Sequence, residues 1–143
     1  MRYMLLINSD KAAPPPQKAE MEDIMRGHQR FAEELQAAKK MVHGERLRPD
    51  AEASRIRLKA GQRQVTDGPF AETKELIAGF WLWNVKSMEE AVDWVKRCPN
   101  PHNEEGDIEI RQVFDFDEFA PCDPTGDLRA AEARMREQLE RQQ

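Results

Sequence analysis

The segment Ile77 to Val85 constrains the fold of this chain more than any other stretch. One face of a strand here would carry Ile77, Gly79, Trp81, Trp83 and Val85, and the other Ala78, Phe80 and Leu82. Neither side reads as a solvent face. A strand apolar on both faces belongs in the middle of a sheet that is covered on both sides. Tyr3 to Asn8 repeats the pattern, with Tyr3, Leu5 and Ile7 on one face and Met4 and Leu6 on the other. The chain therefore needs a sheet with two central strands and a covering layer for each face.

The remaining elements supply one of those layers. Met21, Ile24, Met25, His28, Phe31 and Leu35 recur at three- and four-residue spacings, with Glu22, Asp23, Arg26, Arg30 and Glu34 facing away, which predicts an amphipathic helix. It follows a loop containing Pro14 to Pro16. Met41 to Leu47 reads as a second strand. Ser54 to Lys59 and Gln62 to Thr66, joined at Ala60-Gly61, read as a hairpin. Ser87-Met88-Glu89-Glu90 is a capping-box sequence that opens a second helix ending near Cys98-Pro99. Asp107 to Val113 is the last core strand, with Ile108 and Ile110 alternating with Glu109 and Arg111.

The order strand, helix, strand, hairpin, strand, helix, strand is an α+β, ferredoxin-like βαββαβ arrangement with an inserted hairpin. Its helices cover only one sheet face. The simplest cover for the other is the same face of a second copy, so a homodimer packed sheet to sheet is expected. A domain over residues 1–120 and a C-terminal amphipathic helical extension over 121–143 are expected. Leu128, Ala131, Met135 and Leu139 form a thin stripe on that extension, which either clasps the partner or stands as an appendage.

Composition excludes several classes. A net charge of −5 argues against sequence-independent nucleic-acid binding, which needs Lys and Arg to neutralise phosphates. The basic strip Arg46, Arg48, Arg55, Arg57, Lys59 and Arg63 is interrupted by Glu45, Asp50 and Glu52 and reads as a solvated face. The longest apolar run falls far short of the ~20 residues of a membrane span. The opening residues read as a strand rather than a secretory signal. Cys98 and Cys122 stand outside any metal-binding pattern and are expected as reduced thiols in a cytoplasmic protein. His28, His43 and His102 lie on separate elements without metal spacing, so no metal is expected. No phosphate loop, dinucleotide fingerprint or flavin signature is present, so no cofactor is expected either.

Asp67-Gly68-Pro69-Phe70-Ala71-Glu72-Thr73-Lys74-Glu75 resembles the signature of the DGPF branch of the YCII-related family. Met1 to Leu6, Val42 to Leu47 and Gly106 to Arg111 are similar to that family's opening, second and closing strands, so the resemblance runs from Met1 to about Val113. Lys40 stands where the family usually turns with glycine, and Gln112 where proline commonly follows the arginine. The resemblance implies a dimeric α/β barrel built from two ferredoxin-like sheets. It also implies a cleft whose aligned histidine, here His28, and Asp67 have been proposed as an enzymatic pair. An association with extracytoplasmic-function sigma factors is implied for many members.

Read as residues, the candidates stay open between structural and chemical roles. Asp67-Gly68-Pro69 is a turn in which aspartate bonds nearby amides, glycine relaxes φ and proline fixes it, with Phe70 plugging the core. The same rigidity can hold Asp67 at the rim of a pocket, followed by the polar cluster Glu72, Lys74 and Glu75. His28 sits on an apolar helix face, as core histidines do, yet its near-neutral reference pKa makes it the best proton-transfer group in the chain. Asp67 would then orient its ring. Arg111, on the opposite side of its strand from the isoleucines, can bind a carboxylate or pair with Glu109. Trp81 and Trp83 are core residues or the walls of a flat-ligand cavity.

Two classes of function follow. One is a cofactor-free enzyme of isomerase or lyase type acting on a small acidic molecule. His28 and Asp67 would be catalytic, with Phe70, Glu72, Lys74, Trp81 and Arg111 around the substrate. The other is a non-catalytic binding or regulatory dimer, associated with a sigma factor.

Overall fold

The computed structural model describes residues 1–10, 17–70, 75–100 and 106–142. Its elements are β1 (Arg2–Asp10), α1 (Lys18–Ala37), β2 (Met41–Arg46), β3 (Ser54–Lys59), β4 (Gln62–Asp67), β5 (Glu75–Asn84), α2 (Met88–Val95), β6 (Ile108–Gln112) and α3 (Asp127–Glu140). Short 3-10 turns cover Asp50–Glu52 and Phe116–Cys122. The chain divides into two compact units, Met1–Gln112 and Val113–Gln143.

In the first unit β2, β5, β1 and β6 form an antiparallel sheet in that order, with β3 and β4 paired as a separate hairpin. The two doubly apolar strands, β1 and β5, occupy the centre. This is the ferredoxin-like arrangement expected from the element order. Tyr3↔Trp83 and Leu5↔Trp81 pair across the centre, and Ile110 pairs with Leu5 from the other side. Tyr3, Leu5, Phe31, Leu35, Trp83, Val85 and Ala91 form the core cluster under α1 and α2. Burying each large apolar side chain there contributes about 1.5–3 kcal/mol.

Among the described residues of the first unit, no helix packs on the opposite sheet face as α1 and α2 do on the first. Met4, Leu6, Phe80 and Leu82 lie on it, each only half-buried. Glu45 pairs with Phe80 and Glu109 with Leu6, so carboxylates stand on both edge strands beside this apolar centre.

Two register shifts depart from simple alternation. At the β1–β5 pair, Ile7 faces Gly79 but Asn8 faces Ile77, so Ala78 is an extra residue. Ile77 therefore leaves the Trp81/Trp83 face on which alternation places it, and is 48% exposed. At the β2–β5 pair, Met41 faces Trp83 but His43 faces Leu82, making Val42 a bulge. Met41 packs against the core, whereas His43 turns to the open face, where its ring lies 5.9 Å from Phe80. A bulge re-aims the side chains that follow it.

Helix ends show where local sequence prevailed. Ser87 Oγ accepts from the Glu90 amide at 3.2 Å, as the capping box requires. The reciprocal half differs. Glu90 accepts from the Lys86 amide at 2.6 Å and from Lys40 Nζ at 2.8 Å, because the ammonium just beyond α1 offers a charge-assisted partner. Lys40, with Glu90 below its ordinary pKa, ties the start of α2 to the end of α1. The left-handed residue after α1 is Lys39, at φ 57°, followed by a Lys40 amide bond to the Leu35 carbonyl at 2.8 Å.

In the second unit, Asp123 is 4% exposed. Its carboxylate accepts from the Arg129 amide at 3.0 Å, the Leu128 amide at 3.3 Å and Arg129 Nε at 3.3 Å. These bonds satisfy the open donors of the first turn of α3. Leu128, Met135 and Leu139 are exposed on that helix at 59%, 49% and 53%.

Candidate functional site

A cavity of about 830 Å³ opens between α1 and the β2 side of the sheet. Ile24 and His28 of α1, Met41 and Gly44 of β2, Ile7 of β1 and Trp81 of β5 are among its walls. Its size lies within the range of small-molecule sites. Helical spacing puts Ile24, His28, Phe31 and Leu35 on one stripe. Phe31 and Leu35 reach the core, while His28, one turn nearer the N-terminus, stops at the cavity wall.

The His28 ring lies 5.7 Å from Trp81, tilted by 34°. Trp81 in turn stacks on Trp83 at 5.5 Å and 18°. A half-buried imidazole thus faces the cavity with its orientation backed by two indoles. Gly44 makes this possible. A Cβ at that position would stand 2.4 Å from Trp81 Cδ1, so only a glycine lets the indole lie across β2.

Arg46 also lines the cavity and is exposed at its β2 wall. Sequence reasoning placed it in a solvated basic strip and missed this position. The available signal was Gly44, since a glycine inside a strand often marks the close approach of a neighbouring group. Gln29 and Gln36 of α1 add polar groups to the lining, and His43 and Glu45 border it from β2, although their register pairs them with the open-face residues Leu82 and Phe80.

The motif loop lies elsewhere. Asp67 ends β4 opposite Ser54, and its Oδ1 accepts from Ser54 Oγ at 2.6 Å. The Gly68 amide donates to the Ala53 carbonyl at 2.8 Å and the Phe70 amide to Asp50 Oδ2 at 3.0 Å. Gly68 joins a cis Gly68–Pro69 bond, and a Cβ there would stand 1.8 Å from the Asp50 carbonyl oxygen. Phe70 is half-buried, with the Arg55 guanidinium 4.0 Å above its ring. These contacts clamp the base of the β3–β4 hairpin.

The structure therefore joins His28 and Trp81 at one cavity and leaves Asp67 and Phe70 outside its walls. Arg111 is on the open sheet face opposite Met4, with Glu109 Oε1 3.8 Å away. Glu72, Lys74 and His102 lie outside the described residues. Among the described residues, no His, Cys, Asp and Glu side chains are grouped to hold a metal ion. Among them, too, no helix is long and apolar enough to cross a membrane. Burial pushes the Cys98 thiol up to about 12.

Comparison with known proteins adds two findings. Residues 1–117 match the model of the YCII-related domain. The chain is also 35% identical over 114 residues to an uncharacterized protein of Rhizobium meliloti (strain 1021), covering 79% of this chain and 92% of that protein.

Proposed function

The chain belongs to the YCII-related family, and from that premise we propose that it is a cofactor-free, small-molecule-handling protein of the DGPF branch. Its cavity takes a small acid, and His28 moves a proton on it, as isomerases and lyases do. The observation that carries this reading is the imidazole at the wall of a cavity of about 830 Å³, held against Trp81. An imidazole exchanges protons near neutral pH more readily than any other side chain. Arg46 supplies a guanidinium for the acid's carboxylate, and the indole supplies a flat apolar wall.

In this reading Asp67 acts at a distance. It fixes the base of the β3–β4 hairpin, which precedes β5 in the chain, and β5 carries Trp81. Ser54 Oγ donates to the Asp67 carboxylate at the hairpin base, and the reading gives Asp67 this positioning role in place of direct orientation of the His28 ring. In this reading Phe70 and Arg111 join the site when a second subunit closes over it. We accordingly place the protein in the cytoplasm as a homodimer, with the face bearing Met4, Leu6, Phe80 and Leu82 packed on its symmetry mate.

The test is proton exchange in deuterated water. Small aromatic and aliphatic carboxylic acids that bind by calorimetry should exchange a carbon-bound proton with wild-type protein. His28→Gln should slow this by about 10²–10⁴-fold while binding persists. Arg46→Gln should weaken binding. If no acid binds, or His28→Gln exchanges at the wild-type rate, the enzymatic reading fails.

A second reading has its own observation in the exposed stripe Leu128, Met135 and Leu139 on α3. A non-catalytic dimer would use that stripe to hold a regulatory protein, with an extracytoplasmic-function sigma factor as the partner to test. Deleting residues 127–143 should then release the factor from the purified complex. Retention of the factor by the truncated protein would remove this version.

A further inference from the structure

The β2 wall of the cavity runs without a gap. Every residue from Met41 to Leu47 borders it. Side chains of a strand alternate between its faces, and the register sends His43 and Glu45 to the open sheet face with Leu82 and Phe80. A wall that takes in both kinds of residue is the edge of the strand, where main-chain groups are displayed. In the order β2-β5-β1-β6, β2 pairs with β5 alone. Among the described residues no second strand runs along its outer side.

The ladder fixes which groups point outward. The Leu47 amide donates to the Ala78 carbonyl at 2.8 Å, and Glu45 stands opposite Phe80 in the same register. In an antiparallel pair, residues bonded to the partner alternate with residues whose N–H and C=O point away from it. Glu45 and Leu47 therefore face β5, while Gly44 and Arg46 turn both groups to the outer edge. Two residues of strand separate these groups by about 6.8 Å. The bulge at Val42 breaks the alternation on one side, and β2 ends at Arg46 on the other. The regular edge that meets the cavity is thus two outward residues long, which suits a single amino-acid unit better than a whole strand of another chain.

The groups on that edge select the ligand. Gly44 has no side chain to screen its carbonyl, and Arg46, on the same face, brings its guanidinium to the cavity. We propose that the acid bound here is an N-acylated amino acid, laid parallel to β2 as a one-residue strand. Its amide N–H donates to the Gly44 carbonyl. Its carboxylate accepts from the Arg46 amide and lies beside the Arg46 guanidinium. In a parallel ladder one residue pairs in this way with two outward neighbours of the adjoining strand. Ile24, Met41 and Leu47 offer its side chain an apolar wall. The inference rests on the small-acid reading, which supplies the carboxylate, and narrows it to acids that carry an amide N–H on the α carbon.

Calorimetry and amide hydrogen exchange by NMR on the full chain test it with three probes. They are N-acetyl-L-leucine, the O-acetyl ester of L-leucic acid, which has oxygen in place of the N–H, and isocaproate, which has neither. N-acetyl-L-leucine should bind, and the ester about tenfold more weakly or worse, because the Gly44 carbonyl then faces an oxygen instead of a donor. Bound N-acetyl-L-leucine should slow exchange of the Arg46 amide about tenfold or more and leave that of Glu45, already in the ladder with β5, unchanged. Equal affinity for amide and ester, or an Arg46 amide that exchanges as in the free protein, overturns the edge pairing and spares the small-acid reading, since an acid still binds. Binding of isocaproate without N-acetyl-L-leucine has the same meaning. Slow, concentration-dependent exchange of the Arg46 amide in the ligand-free protein would assign the edge to a second copy and also overturns the inference. If none of the three binds, the inference falls, and the small-acid reading falls with it for aliphatic acids.

Discussion

Gly44 and Trp81 are matched across the β2–β5 pair so closely that a single methyl group on Gly44 would stand 2.4 Å from the indole Cδ1. The missing side chain is what lets Trp81 lie beside His28 at the cavity wall. Gly44→Ala should cost about 1–3 kcal/mol, the usual penalty of overpacking, because the neighbour is a large ring already stacked on Trp83. The measurement is a denaturant melt followed by tryptophan fluorescence. A native emission spectrum and midpoint identical to wild type would show that the indole does not depend on Gly44.

Gly68 has the same kind of constraint in a different place. Its hydrogen-bonded position leaves 1.8 Å between a would-be Cβ and the Asp50 carbonyl oxygen, a backbone atom that cannot swing aside. Gly68→Ala should therefore detach the hairpin base from the Asp50–Glu52 turn. Amide hydrogen exchange should accelerate over residues 54–70 and stay near wild type in β1 and β5, whose core is built from other residues. Uniform acceleration across the sheet would contradict this local role.

Lys39 occupies a left-handed position that glycine adopts without strain. The side chain is exposed, so removing it sacrifices no packing. Lys39→Gly should raise stability by about 0.5–1 kcal/mol, the relief of a strained φ less the added freedom of the unfolded chain. Thermal melting reads this directly, and a lower midpoint would refute it.

Asp123 makes the start of α3 sensitive to acid. The Arg129 amide, with the Leu128 amide and the Arg129 guanidinium, holds its carboxyl below the ordinary aspartate value, against the opposing effect of burial. A carboxyl with a depressed folded-state pKa stabilises above its unfolded value of about 4, and that stability is lost as pH falls through the folded value. Helical signal from α3 should thus fade below about pH 4. Asp123→Asn should lower it at neutral pH and flatten the acid response. A variant that keeps the wild-type profile would assign the acid sensitivity to other groups.

The two thiols should differ in reactivity. With Cys98 pushed up to about 12 by burial, its thiolate at pH 8 amounts to roughly one part in ten thousand. Cys122 is exposed. Iodoacetamide followed by peptide mass spectrometry should label Cys122 well before Cys98, and the reverse order would contradict the burial of Cys98.

What the sequence determined by itself was the layout of the first unit. Alternation and helical spacing act within a few residues, and they were enough to identify β1 and β5 as central, α1 and α2 as one covering layer, and β3–β4 as a hairpin. Trp81 and His28 were legible as candidates because their residue types and faces are local properties. The site was decided by tertiary structure. The bulge at Val42 turned His43 away from Met41, and the extra residue at Ala78 turned Ile77 off the core face. Both depend on register against β5, which no single segment encodes. Ser54 and Asp50 engaged the motif loop from 13 and 20 residues away. The Asp67–Phe70 turn of the motif therefore became the clamp of a hairpin, while the cavity formed beside Gly44, where a missing side chain allowed an indole to cross a neighbouring strand.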